Sequence, residues 1–406
     1  MTNPEIRRWR LSLFAFMFSA GLGMAAWVTR TPAIRDAVEA STAQMGLLLL
    51  GASIGAMAGV LSSEPLLRRA GSRPIILLGG WVVAAGVAVT GVAAGLGLAA
   101  GVLVGLMLFG LGCGVAEVAL NVDGAEVEKR LSRSVLPALH GCFSLGTLVG
   151  AVLGIVFTAM HVPVVWHLLG CALLMTAVVL WGSRGLVAGV GRTAVVPARA
   201  TESADRRASV WRDPALLLLG VVLLALALAE GAAGDWLPLI MVDGLGLSEA
   251  LGSAFYAAFA AVMTIGRFSG HLLIARVGKQ GALLTSVVLS AAGIALVALV
   301  DHPAVVVAGT ALWGLGASLG FPVAISVAGD DADRPAERVG AVATAGYLAY
   351  LVGPPVLGFL GEHYGLRSAI LAVVGLLIVA AVAGVVRVRM RRPGRASAAH
   401  VADASR

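Results

Sequence analysis

Charge is what this chain has least of. Asp, Glu, Lys and Arg make up 13% of its 406 residues, against about 25% in a typical soluble domain. Residues 74–116 and 134–183 contain none of the four. Each stretch is roughly twice the ~20 apolar residues that cross a bilayer once as a helix. A single helix of that length would overshoot the membrane, so each stretch is read as a hairpin of two spans. The turns fall near Gly95-Leu96-Gly97 and His161-Val162-Pro163. This patterning excludes a water-soluble domain.

Cysteine is scarce as well. Cys113, Cys142 and Cys171 lie in apolar stretches, with neither a disulfide framework nor metal-ligand spacing among them. The chain has no His-Glu-x-x-His pair, no Gly-x-Ser-x-Gly elbow and no Walker loop. The expectation is therefore no enzyme, no cofactor and no metal. Gly110, Gly112 and Gly114 have the look of a dinucleotide loop, but they lie inside a span with no strand before them, and read as packing. The pI near 10.0 invites a nucleic-acid reading, which the placement of the charges argues against.

What is abundant fits a polytopic membrane protein. Hydrophobic residues reach 59% and glycine numbers 53, with a mean hydropathy of +0.94; small residues let helices approach closely in lipid. Charge-free runs place further spans at about 11–29, 42–63, 214–236, 250–272, 281–300, 304–328, 339–361 and 368–386. Two from each long gap (about 75–94, 98–122, 136–158 and 164–183) bring the total to twelve. The expected fold is all-α and integral to the membrane, with twelve transmembrane helices in two six-helix bundles.

With the N-terminus in the cytoplasm, all 29 Lys and Arg residues fall on the cytoplasmic side except Arg30, Arg35, Arg267 and Arg367. This is the positive-inside bias; it puts both termini in the cytoplasm. The expected organisation is an N-terminal bundle over 1–184, a cytoplasmic linker over 185–212, a C-terminal bundle over 213–388 and a basic tail over 389–406. The linker is rich in Ala, Arg, Gly and Ser and reads as mobile. The tail reads as a lipid-facing anchor.

The halves repeat one another. Leu108-Phe109-Gly110-Leu111-Gly112 matches Leu312-Trp313-Gly314-Leu315-Gly316 at an offset of 204; Gly59, Arg69 and Gly71 match Gly266, Arg276 and Gly278 at 207; Thr31-Pro32 matches Leu237-Pro238 at 206. Three matches at nearly one offset indicate a duplication. Two related six-span bundles suit an alternating-access transporter, in which one half rocks against the other around a central site.

On these residues the chain resembles the major facilitator superfamily along essentially its whole length. Gly266-Arg267-Phe268-Ser269-Gly270, followed by Arg276-Val277-Gly278-Lys279, is similar to the superfamily's signature after the second span of a half. The first-half copy is degenerate, and the loop acid is replaced in the region of Ser63-Glu64 and His271. Gly353-Pro354-Pro355 with Gly358 resembles the kinked eleventh helix. The stretches 30–35, 119–124 and 139–146 resemble the bacterial branch around rhizopine transporters and fucose permease. The resemblance implies secondary transport of a small polar solute, sugar- or polyol-like, coupled to protons, by a protein whose partners are that solute, protons and the bilayer; a monomer is expected. Efflux of a drug or metabolite by the same fold is the alternative.

Ionisable groups at membrane depth are costly and are functional candidates by default. Glu117 lies in span 4 with Asn121 one turn on, and Gly110 and Gly114 lead to it along a stripe read as facing the bundle interior. His140 begins span 5, followed by Ser144 and Thr147. Glu117, His140 and Glu230 are the candidate proton-coupling groups, and in fucose permease a span-4 carboxylate has that role. Asn121 and Ser144, with Trp27, Trp313, Tyr347 and Tyr350, are candidates for binding solute, aromatic faces being common in sugar sites. An interhelical hydrogen-bonded pair and plain helix packing are the competing readings. Arg30 is expected to pair with Asp235 or Glu230 as an outer gate, with interfacial snorkelling as the alternative. Arg267 and His271 are assigned to the cytoplasmic loop and gate.

Overall fold

The computed structural model describes residues 3–131, 135–192, 212–330 and 335–391. Most of the linker and almost all of the basic tail lie outside them. Every described element is a helix: α1 (Asn3–Val28), α2 (Thr31–Ala37), α3 (Thr42–Ala70), α4 (Ser72–Gly95), α5 (Ala99–Leu131), α6 (Leu136–Ala159) and α7 (Val164–Gly182) form the first half. The second contains α8 (Pro214–Leu245), α9 (Glu249–Leu299), α10 (Pro303–Ala317), α11 (Gly320–Gly329), α12 (Pro335–Tyr364), α13 (Leu366–Ala369) and α14 (Leu371–Arg391). In lipid only a helix or a closed barrel satisfies every backbone group, which explains the uniformity.

Eleven of these helices or helix pairs are long and apolar enough to cross a membrane. One of them, α9, contains two spans, because Gly278 (φ 71°, ψ 172°) breaks it. The chain therefore makes twelve crossings, with α10 and α11 together forming the tenth. Gly71, between α3 and α4, has the same backbone conformation (φ 81°, ψ 171°). Gly71 and Gly278 are related by the 207 offset, and positive φ at both is why each is glycine. The repeat is thus visible in the backbone.

The helices overrun the apolar windows. α5 continues past residue 122 to Leu131, its polar end braced by the Glu126–Arg130 pair at 2.9 Å, because a helix need not stop where hydrophobicity does. The expected turns are where they should be: Gly97 and His161 both take positive φ, 69° and 54°. The first residues of the expected linker are docked rather than loose. Leu186 is buried, the Val190 carbonyl accepts from Ser72 N at 2.9 Å, and Arg192 Nε donates to Arg69 O at 3.1 Å.

Within each half a tryptophan–phenylalanine edge contact anchors the core. Trp27 meets Phe109 at 6.0 Å and 75°; Phe259 meets Trp313 at 5.8 Å and 74°. Phe109 and Trp313 are equivalent positions in the repeat. Between the halves, α3 packs on α12 and α6 on α9. The end that carries the termini is called proximal below, the other distal.

Candidate functional site

The polar side chains at membrane depth gather where the two halves face each other. On α5, Glu117 is exposed although it lies in mid-helix, and its charge reaches Tyr347 on α12 of the other half. One turn further, Asn121 Oδ1 accepts from His140 Nε2 on α6 at 3.1 Å. The amide oxygen can only accept, so Nε2 carries the proton in this contact. Among the described residues no ion pair engages Glu117.

The second half contributes an ion pair. Arg267 Nη2 donates to Glu230 Oε1 at 2.7 Å, joining α9 to α8, with the two side chains 33% and 20% exposed. The Tyr350 ring packs beside the same carboxylate, 3.1 Å from where a Cβ at the neighbouring Gly231 would be. Arg267 also acts electrostatically on His140 across the junction. Asp235, half-buried on α8, is near the Tyr256 hydroxyl and makes no ion pair among the described residues. The cleft where the halves face each other is therefore lined by two carboxylates, one guanidinium, an imidazole–amide pair and two tyrosines. Donors and acceptors of both kinds converge there, as a site for a hydroxyl-rich solute requires.

Several sequence expectations meet a different arrangement. Arg267 serves no loop: it lies in mid-span, and Gly278 marks the loop eleven residues on. Arg30 pairs with neither Asp235 nor Glu230. Its Nη1 donates to Thr158 Oγ1 at 2.7 Å and its Nη2 to Val162 O at 2.6 Å, partners within its own half that are closer than any carboxylate of the other. Trp27 and Trp313 are 3% and 0% exposed; they are core residues, Trp313 Nε1 donating to Ala229 O at 2.9 Å. Ser144 is also buried. The Gly110–Gly114 stripe faces α3, not the cleft: a Cβ at Gly114 would collide with the Ala56 carbonyl. Glu117, Asn121, His140, Glu230, Arg267, Tyr347 and Tyr350 are the ones that converge.

The distal end is closed by contacts that sequence reasoning missed. Arg35 on α2 pairs with Asp243 of the other half and with Asp36. Burial lowers the Arg35 pKa, but the bonds to Asp243 and Asp36 outweigh it and leave the guanidinium firmly charged. Glu362 accepts from Ala43 N at 3.1 Å, and Ser253 Oγ donates to Thr29 O at 2.9 Å. Arg35 and Asp243 carried a signal: opposite charges in equivalent connections of a face that has few.

A family model for the Major Facilitator Superfamily matches residues 11–350 and 273–404. The chain belongs to the Major Facilitator Superfamily. Within the superfamily it is 30% identical over 382 residues to an uncharacterized MFS-type transporter of Yersinia pestis, covering 93% of this chain and 95% of that one. It is 27% identical over 395 residues to the membrane protein MosC of Rhizobium meliloti, covering 95% and 91%. Its fold is similar to that of a single-substitution variant of the fucose:proton symporter of E. coli, with a TM-score of 0.62 at 17% identity, covering 93% of this chain and 98% of that one. As a superfamily member it is a transporter and not an enzyme, with the two-bundle helical fold read from its sequence.

Proposed function

We propose that this protein moves a small polar solute, sugar- or polyol-like, across a bacterial inner membrane by alternating access coupled to protons. The observation that carries the reading is Glu117: an exposed carboxylate in mid-membrane, free of any ion pair among the described residues, one turn from the Asn121–His140 pair. Such a group can take up and release a proton without breaking an internal pair. Asn121, His140, Tyr347 and Tyr350 supply hydrogen bonds to solute, and Glu230 is held by Arg267 until solute or proton competes for it. The fucose:proton symporter shares the fold and couples a sugar to protons by its name, which supports the class. The concentration of Lys and Arg at the proximal end supports cytoplasmic termini, so the closed distal end faces outwards and the gate lies at Arg35–Asp243, with Arg30 buttressing it from behind.

An apolar hollow within the second half, between α8 and α12 and lined by Leu216, Leu217, Val221, Leu224 and Ala341, favours a second reading, in which the same fold exports an amphipathic drug or metabolite. Purified protein in liposomes decides between them. Under the first reading, sugars or polyols from a solute panel accumulate only with an inward proton gradient; exclusive movement of apolar cations against it sinks that reading.

A further inference from the structure

Helix α12 contains two consecutive prolines, Pro354 and Pro355, in its interior. Proline has no N–H, so the carbonyls four residues earlier, at Tyr350 and Leu351, lose their helical donors. A carbonyl left without a partner at membrane depth is costly. At Tyr350 the replacement donor comes from the other half: Ser53 Oγ on α3 donates to Tyr350 O at 2.7 Å. The same two helices touch backbone to backbone one to two turns further out. A Cβ at Gly46 would stand 2.6 Å from Pro354 O, and one at Gly358 would stand 3.0 Å from Gly46 Cα. Meanwhile the Tyr350 ring packs 3.1 Å from where a Cβ at Gly231 would be, next to Glu230, which Arg267 holds. One residue therefore stands beside the ion pair in the cleft and takes part in the seam between the halves.

We propose that Ser53 is a positioning residue for transport: it latches α3 to α12 through the carbonyl that Pro354 frees, and Tyr350 links that latch to the Glu230–Arg267 pair. Opening the distal side parts α3 from α12 and breaks the Ser53–Tyr350 bond. The carbonyl then turns to water in the opened cleft. The latch stands on geometry alone; the link to the ion pair rests on the cleft being the solute site.

The test uses the full chain in liposomes, with its three cysteines replaced and nitroxide labels at Glu39 and Tyr364, exposed at the distal ends of the two halves. Inter-label distances report the distal-open fraction. Ser53→Ala is expected to raise that fraction about fivefold, the equivalent of one modest hydrogen bond, and Ser53→Thr to restore it. Pro354→Ala returns an N–H to the helix, so adding Ser53→Ala to it should shift the fraction by less than twofold. Equal shifts in both backgrounds, or none from Ser53→Ala, overturn the latch. If Pro354→Ala gives no folded protein, the contrast between Ser53→Ala and Ser53→Thr decides alone. For the link, Glu230→Gln should shift the distances in the parent but not in Tyr350→Phe; the same shift in both overturns the link. Proton-driven uptake is read separately, so loss of the latch and loss of coupling are distinguishable.

Discussion

In the N-terminal half the carboxylate at membrane depth, Glu117, has no ion-pair partner among the described residues, and Asn121 and His140 bond to each other beside it. In the C-terminal half an acid at membrane depth that is not its repeat equivalent, Glu230, is held by Arg267 at 2.7 Å, with Tyr350 packed beside it. The backbones of the halves are repeats, down to the positive φ of Gly71 and Gly278. Their chemistry is not repeated. Protonating an unpaired carboxylate breaks no internal contact, whereas protonating Glu230 severs an ion pair and strands a guanidinium in the membrane. The duplication supplied two equal frames, and the proposed division is that one holds the proton site and the other a lock.

The strongest way to break this comparison is at the lock. Arg267→Met leaves Glu230 without its partner, and removing one member of a desolvated pair costs about 3–5 kcal/mol when burial is complete. Both side chains retain some exposure, so the expected loss is smaller but still at least ~10-fold in uptake rate, with partial recovery in the doubly reversed Arg267→Glu, Glu230→Arg protein. Unchanged uptake in Arg267→Met would show that the pair is ornamental. Next is Glu117→Gln, which should abolish acceleration by an inward proton gradient while solute exchange at equal pH persists. If gradient dependence survives, Glu117 carries no proton and the two halves are not divided as proposed.

Smaller effects sharpen the picture. His140→Ala removes one hydrogen bond to Asn121, on the order of 1 kcal/mol, and should raise KM several-fold with little change in maximal rate. Trp313→Phe makes that position match Phe109 of the other half. It deletes the bond to Ala229 O, also about 1 kcal/mol, so thermal stability in detergent should fall slightly while uptake kinetics stay as they were. A changed KM would return Trp313 to the solute site. Asp213 provides the smallest effect. It caps α8 through Ala215 N and Leu216 N and pairs with Arg338 at 2.8 Å. Burial pushes its carboxyl up, but the Arg338 bond and the two amides outweigh it and hold the pKa below the ordinary 3.8. A depressed acid stabilises the fold fully above its unfolded pKa, and that contribution disappears as pH falls through the lower folded value. Thermal melts of wild type should therefore lose, below pH 3.8, a component that Asp213→Asn lacks throughout.

Span number and position could be read before any coordinates, because two uncharged runs of double length admit only hairpins. The repeat could be read too, since Gly71 and Gly278 need a conformation other residues resist. Glu117, Asn121 and His140 were found because a charge or polar pair in an apolar helix stands out locally. The partners of Arg30 and Arg267 were not legible. Arg267 falls within the span expected over 250–272, but only the packing of α9 on α8 shows that its partner is Glu230. Trp27 and Trp313 misled because an aromatic ring lining a cleft and one filling a core have the same sequence neighbourhood.

The amino-acid order alone determined an all-helical chain of twelve crossings in two related halves, since lipid forces every backbone hydrogen bond into the helix that owns it. Tertiary packing alone decided which groups meet: Arg267 with Glu230, Arg35 with Asp243, Ser53 with the carbonyl Pro354 leaves bare. A side chain's partner depends on the rotation and depth of its helix against neighbours far away in the chain. Hydropathy is blind to both.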